Sequence, residues 1–320
     1  MPICFHVDMV SVNSNNDNKV TLFEAGAGIG AGYATYTQAK KYARKPYGKY
    51  ILSQLEKLSE RESLEFSAAA KRAFSQEKLG DKGIKIVDLT SNNFETFKND
   101  AIKAMQDAVN KRKRNIPKGN TKLDKKLEEV TKKLDKRNAG KLESALTSIL
   151  LGENACYMPF NNTVVVNPNK MGFSTFHELG HAINNNSKGF VKALAKSRNF
   201  IALLAPVVLF TSIVKKKKPE DQKPKNLWDR FTTFIKNNCG KLMFLSMVPV
   251  IAEEGLASIN GHKLGKKVLS PEMLKKMNTL NLKAFGSYVL GATIMSVCGA
   301  LAVWVKDRVA QPELAVKKTT

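Results

Sequence analysis

The sequence predicts a mainly α protein with a small α+β core and transmembrane helices, and three observations carry that expectation. Apolar residues recur at helical spacing in the first half, at Ile51, Leu55 and Leu58 and then Leu64, Phe66, Ala70 and Phe74. Long apolar runs crowd the second half. Only two short β-branched stretches read as strands, "GIKIVDL" (Gly83–Leu89) and "NTVVVNP" (Asn162–Pro168).

Four segments follow in order. Residues 1–44 form a loose, Asn- and Ser-rich N-terminus with a Gly-rich apolar stretch, "LFEAGAGIGAGYATY" (Leu22–Tyr36). Gly26-x-Gly28-x-x-Ala31 invites a dinucleotide-binding reading. That motif needs a second strand ending in an acidic residue roughly 20 positions later, whereas "KKYARKPYGKYILSQLEKL" is charged and helical. The spacings Gly26/Gly30 and Gly28/Gly32 suit close helix packing, with a flexible linker as the other reading.

Residues 45–151 read as a basic helical region. Within 98–141 there are 15 Lys or Arg against 6 Asp or Glu, around a narrow stripe of Leu123, Leu127, Val130 and Leu134. That pattern favours a solvated helical face over a dedicated binding surface. Residues 152–262 hold the chemistry described below, with an apolar hairpin expected from 200–214 and 242–252. Residues 263–320 contain a C-terminal spanning helix (284–305) and a basic tail.

Three apolar stretches bear on the membrane. Phe200–Val214 is short, Leu242–Ile259 is apolar until Glu253, and Ala284–Val305 runs 22 residues without a charge. A spanning helix needs about 20 apolar residues, so the last reads as one and the first two as a shallow hairpin, tilted spans or a buried pair. Lysines flank all three, so loop charge does not orient them.

The net charge of +24 and pI near 9.8 imply an anionic partner. Aromatic residues are 8%, and no zinc-finger, RRM-like or helix-turn-helix pattern is present, which disfavours nucleic acid and favours a membrane surface. Cys4, Cys156, Cys239 and Cys298 form no Cys-x-x-Cys pair and read as reduced thiols. The N-terminus lacks the pattern of a cleavable signal peptide.

The chemistry centres on "FSTFHELGHAI" (Phe173–Ile183). Two histidines at i and i+4 share a helix face, so His177 and His181 can reach one Zn²⁺. Glu178 points about a quarter-turn away, where it can hold a zinc-activated water and act as general base. Gly180 permits close approach of another segment, and the strand expected just upstream, Thr163–Asn167, is a candidate edge for pairing with extended substrate. For the third ligand, Glu253 and Glu254 are the only carboxylates between Asp229 and Glu272. An adjacent pair inside an apolar helix needs a compensating cation.

His-Glu-x-x-His, an apolar hairpin and then "EGLAS" (Glu254–Ser258) together resemble the gluzincin membrane proteases, a group including the CAAX prenyl protease and the bacterial heat-shock membrane protease. The resemblance covers about residues 150–262. It implies a small zincin-like α+β core, zinc held by His177, His181 and Glu254, and membrane helices flanking the site. Ser258 stands where the heat-shock type carries Asp. His262 is a candidate oxyanion donor, as are Tyr157 and Tyr288, and the sequence does not choose among them. His6 reads as incidental.

The expected function is therefore a membrane-anchored zinc endopeptidase with peptide or protein substrates, membrane lipids as partners, and its active site on the cytoplasmic side. Two other classes remain open at this point. One is a membrane scaffold with a structural or inactive zinc site, and the other is a basic lipid- or nucleic-acid-binding protein.

Overall fold

The computed structural model describes residues 20–55, 57–113, 137–201, 204–216 and 226–310. The apolar stripe from Leu123 to Leu134, residues 1–19 with Cys4 and His6, and the tail beyond 310 lie outside them. The architecture is mainly helical with a small three-stranded sheet, and the chain divides into two compact units.

The larger unit comprises Gln38–Leu204 and Phe244–Ile294. It opens with α2 (Lys45–Leu55) and α3 (Glu60–Gln76). A capping box starts α3: the Ser59 hydroxyl accepts from the Glu62 N–H, and the Glu62 carboxylate accepts from the Ser59 N–H. Phe66, Ala69, Ala70 and Ala73 form its buried face.

Strand β1 (Lys85–Asp88) matches one β-branched run, and α4 (Phe94–Lys113) and α5 (137–150) follow. Strands β2 (Cys156–Met158) and β3 (Thr163–Val166) complete the sheet in the order β1-β3-β2. β3 is parallel to β1 and antiparallel to β2.

This order corrects the expectation for residues 163–167. β3 is the central strand, paired on both sides, so it has no free edge. All four of its residues are buried because both faces are covered. Val164 and Val166 pack with Phe66, Phe176 and Leu179, while Val165 packs with Leu89, Leu146 and Ile149. Among the described residues the two edge strands are β1 and β2, and β2 is the one that carries Tyr157 next to the histidine helix.

After β3 come α6 (Pro168–Met171), α7 (Ser174–Asn186) and α8 (Gly189–Ile201). Pro168 sits in the first turn of α6, where its missing N–H costs no hydrogen bond. Two long helices then contribute to both units, α11 (Cys239–Val268) and α12 (Pro271–Val309). Leu264 of α11 and Met277 and Leu280 of α12 join the core of α3, β3 and α7.

The second unit comprises the N-terminal residues through Thr37, Ala205–Met243 and Met295 onward. It contains α1 (Leu22–Ala39), α9 (Leu204–Val214) and α10 (Leu227–Asn237) with the start of α11 and the end of α12. The Gly-rich stretch is helix, not linker. Gly28 and Gly32 are the pair that meets a neighbour: a Cβ at Gly28 would lie 2.6 Å from the Ala302 carbonyl and one at Gly32 3.0 Å from the Ala302 Cβ. Gly26 and Gly30 face open space.

α11 and α12 are long and apolar enough to cross a membrane, with mean hydropathies of 1.6 and 1.9 over their best windows. The 242–259 stretch lies inside α11 and the 284–305 stretch inside α12. Of the 200–214 stretch, Phe200 and Ile201 belong to α8 and Leu204–Val214 form α9, while residues 202–203 lie outside the described residues.

Candidate metal centre

The site belongs wholly to the larger unit. Phe176, Leu179 and Ala182 anchor α7 in the core, which turns His177 and His181 toward α11. Two glycines bring those helices together. A Cβ on Gly180 would lie 2.0 Å from the carbonyl oxygen of Ala257, and one on Gly261 would lie 2.6 Å from that of Phe176. Backbone thus meets backbone at both points, and Glu253, Glu254 and Ser258 fall opposite the histidines.

His177 Nε2, His181 Nε2 and Glu254 Oε2 form a nearly equilateral triangle with sides of 3.1, 3.2 and 3.4 Å. For bonds of about 2.0–2.1 Å, two ligands on a tetrahedral zinc lie about 3.3–3.4 Å apart. The donor set and its spacing therefore fit one face of a tetrahedral site. Two overlapping groups could hold a metal ion, His177 with Glu178 and His181, and His181 with Glu253 and Glu254.

The other ring nitrogens are held from outside the triangle. His181 Nδ1 lies 2.8 Å from Glu253 Oε1, and His177 Nδ1 lies 3.1 Å from Ser258 Oγ. A proton on each Nδ1 leaves both Nε2 lone pairs for a cation, the usual arrangement of outer partners around metal-binding histidines. The two adjacent glutamates thus take different places, Glu254 at the triangle and Glu253 behind His181.

Glu253 and Glu254 are 2% and 0% exposed, and their charges are compensated. The Arg198 guanidinium of α8 reaches both, with Nη1 3.2 Å from Glu253 Oε2 and Nη2 against Glu254 Oε1. Asn184 donates to Glu253 Oε1 at 3.2 Å and accepts from Asn260 at 2.7 Å. Burial alone would lower the Arg198 pKa, but the Glu254 and Glu253 carboxylates outweigh it and hold the value above the ordinary one. Burial likewise opposes protonation of His181, yet the same two carboxylates raise it to about 10 in the metal-free chain.

Glu178 is buried beside the triangle and accepts from the Tyr157 backbone N–H of β2. Burial raises its pKa, and the neighbouring histidines pull in the opposite direction without cancelling the shift. Cys156, next to Tyr157, is pushed up to about 12 by burial and by the Glu178 carboxylate, so it stays a thiol.

A cavity of about 720 Å³ opens over this group, a size suited to an organic ligand. Its polar end includes His177, Glu178, His181, Arg198 and Glu254, and Tyr288 stands there beside Glu254 and Arg198. Ile51, Leu280, Ala284 and Phe285 line an apolar side.

Of the residues singled out in the sequence, His177, Glu178, His181 and Glu254 converge. His262 does not: its Nδ1 lies 2.9 Å from Asn278 Oδ1, away from the cavity lining. It stands eight residues beyond Glu254, about 12 Å along α11. Tyr157 lines the cavity, but its hydroxyl donates to Asn162 at 2.7 Å and accepts from Asn185 at 2.8 Å. Arg198, Asn184 and strand β2 were not anticipated. Arg198 lies in "AKSRNF", which carries no signal of its own, whereas the neighbouring Asn184, Asn185 and Asn186 at the end of an apolar-backed helix were a readable hint of buried hydrogen bonding. No family model, curated protein or solved structure matches the chain.

Proposed function

We propose that the protein is a membrane-anchored zinc endopeptidase, a divergent relative of the gluzincin membrane proteases with a zincin-like core. The observation that carries this reading is the His177–His181–Glu254 triangle with Glu178 beside it at the floor of a cavity. Two histidines and one glutamate leave a tetrahedral ion one open position, the arrangement of catalytic rather than structural zinc sites.

When bound, Zn²⁺ would polarise the scissile carbonyl and acidify an attacking water. The chain's own residues supply the rest. Glu178, with its pKa raised by burial, accepts a proton from the attacking water and delivers it to the leaving amine as the peptide C–N bond breaks. Glu253 and Ser258 hold the two imidazoles in the orientation that keeps both Nε2 atoms on the triangle. Tyr288 is better placed than Tyr157 or His262 to donate to the developing oxyanion, since it lines the cavity beside Glu254. The unpaired side of β2, which already contacts Glu178 through Tyr157, offers the backbone along which an extended peptide would pair. α11 and α12 would anchor the enzyme in the membrane.

The test is peptide hydrolysis by detergent-purified full chain against a library of unstructured peptides, with Glu178→Gln alongside. Chelator-sensitive cleavage that the variant loses while keeping its zinc supports the proposal. Zinc bound with no cleavage of any peptide by the wild type would favour a scaffold with an inactive site.

A further inference from the structure

In the unit built from α1, α9, α10 and the adjoining ends of α11 and α12, charged side chains are buried while several large apolar ones are exposed. Lys306 is 1% and Lys236 5% exposed, and Ser212, Asp229 and Thr232 are buried with them. Asp307 joins the two lysines, with Oδ2 2.8 Å from Lys236 Nζ and Oδ1 3.1 Å from Lys306 Nζ. Lys306 also donates to the Ser212 carbonyl at 3.1 Å, and Lys215 pairs with Asp229.

Large apolar side chains lie outside, around a small buried apolar cluster of Ala205, Cys239, Met243 and Val303. α10 separates the two kinds of residue by face: Asp229, Thr232 and Lys236 (i, i+3, i+7) point inward, while Leu227, Phe231 and Phe234 (i, i+4, i+7) point outward. Trp228 is 70% exposed. The same unit exposes Val207 and Phe210 of α9 and Trp304 of α12. Charged residues inside and large apolar ones outside suit a hydrocarbon or interfacial surrounding rather than water.

Length decides how α10 meets that surrounding. Eleven residues span about 16 Å, whereas the hydrocarbon core is roughly 30 Å thick. α10 is too short to cross, but an amphipathic helix can lie in the headgroup–acyl boundary. Exposed Arg230 on α10 supplies positive charge for a lipid phosphate, and exposed tryptophans are the side chains enriched at that depth.

We infer that α10 is an interfacial helix, seated along the surface of an anionic phospholipid bilayer with Leu227, Trp228, Phe231 and Phe234 in the headgroup–acyl boundary. This rests on the membrane part of the proposed function and is independent of the metal centre.

The chain has two tryptophans, so each can be observed alone. Full-length Trp304→Phe and Trp228→Phe are reconstituted in phosphatidylcholine/phosphatidylglycerol vesicles carrying bromine at the 6,7 or 11,12 acyl positions. Trp228 is expected to be quenched at least twofold more by the shallow bromines than by the deep ones and to be protected from aqueous iodide. That protection is expected to weaken in purely zwitterionic vesicles. Quenching of Trp228 by iodide alone would put α10 in water, and strongest quenching by the deep bromines would put it inside the hydrocarbon. Quenching by neither would mean that protein, such as a second copy, covers it, and each of these three results overturns the inference. Equal protection without anionic lipid would overturn the headgroup preference. If Trp304 meets bromine while Trp228 does not, only the placement of α10 fails; if neither tryptophan does, the membrane reading itself fails.

Discussion

Nε2 of His177 stands 3.1 Å from Nε2 of His181, and the Glu254 carboxylate lies within 3.4 Å of both. Three good ligands thus stand at the mutual spacing of a tetrahedral zinc site, with each imidazole oriented from behind. The two glutamates of α11 are therefore expected to differ in what they contribute. Glu254→Gln removes a ligand and should abolish high-affinity zinc binding, whereas Glu253→Gln removes the carboxylate behind His181, which also pairs with Arg198, and should weaken it about 10–100-fold. Competition against a chromophoric chelator separates the two. Equal effects would contradict the different places assigned to them.

Gly180→Ala tests the contact that assembles the site. The new methyl group would lie 2.0 Å from the Ala257 carbonyl oxygen, so α7 and α11 must separate. A loss of about 1–3 kcal/mol in stability is expected, as for overpacking elsewhere, together with reduced zinc content. Unchanged thermal melting with full zinc occupancy would show that the two backbones do not approach as described.

Arg198→Gln removes the guanidinium that reaches both Glu253 and Glu254, leaving His181 as the cation beside them in the metal-free chain. The apo protein should melt at lower temperature than the wild type. Saturating zinc should restore part of the difference, because the ion neutralises Glu254 and ligand binding adds to stability. Thermal shift with and without zinc reads both. A variant that melts like the wild type in the apo form would mean that the guanidinium does not compensate the pair.

Glu62 provides a pH test remote from the metal centre. Its hydrogen bond with Lys276, then the Ser59 N–H, hold its carboxyl down to about 2 against an ordinary value of 4.5. A depressed pKa contributes stability that is present above pH 4.5 and is lost as pH falls toward 2. The melting temperature of the wild type relative to Glu62→Gln should therefore shrink across that window. A constant difference would remove the role assigned to the ion pair.

These relationships were legible in the sequence to different depths. The His177–Glu178–His181 group depends only on helix periodicity, so its convergence was readable from spacing. Glu254 was accessible because carboxylates are scarce in that part of the chain. β3 was misjudged as an edge: an unbroken Thr-Val-Val-Val run with no polar alternation marks a strand covered on both faces, and that cue pointed to the centre of the sheet. β2, at three residues, is too short to show a pattern. His262 looked close to Glu254 in sequence, but eight helical residues carry it about 12 Å away. Arg198 reaches the glutamates only through the packing of α8, and no local pattern announces a tertiary ion pair. The two units escaped notice because α11 and α12 run unbroken through the positions where they divide.

The most direct test of the account is the metal content of detergent-purified full chain by elemental analysis, comparing wild type, Glu254→Ala and Glu253→Ala under metal-replete conditions. The account predicts about one zinc per chain in the wild type, retained in Glu253→Ala and lost in Glu254→Ala. Zinc retained in Glu254→Ala, or no metal in the wild type, would contradict it.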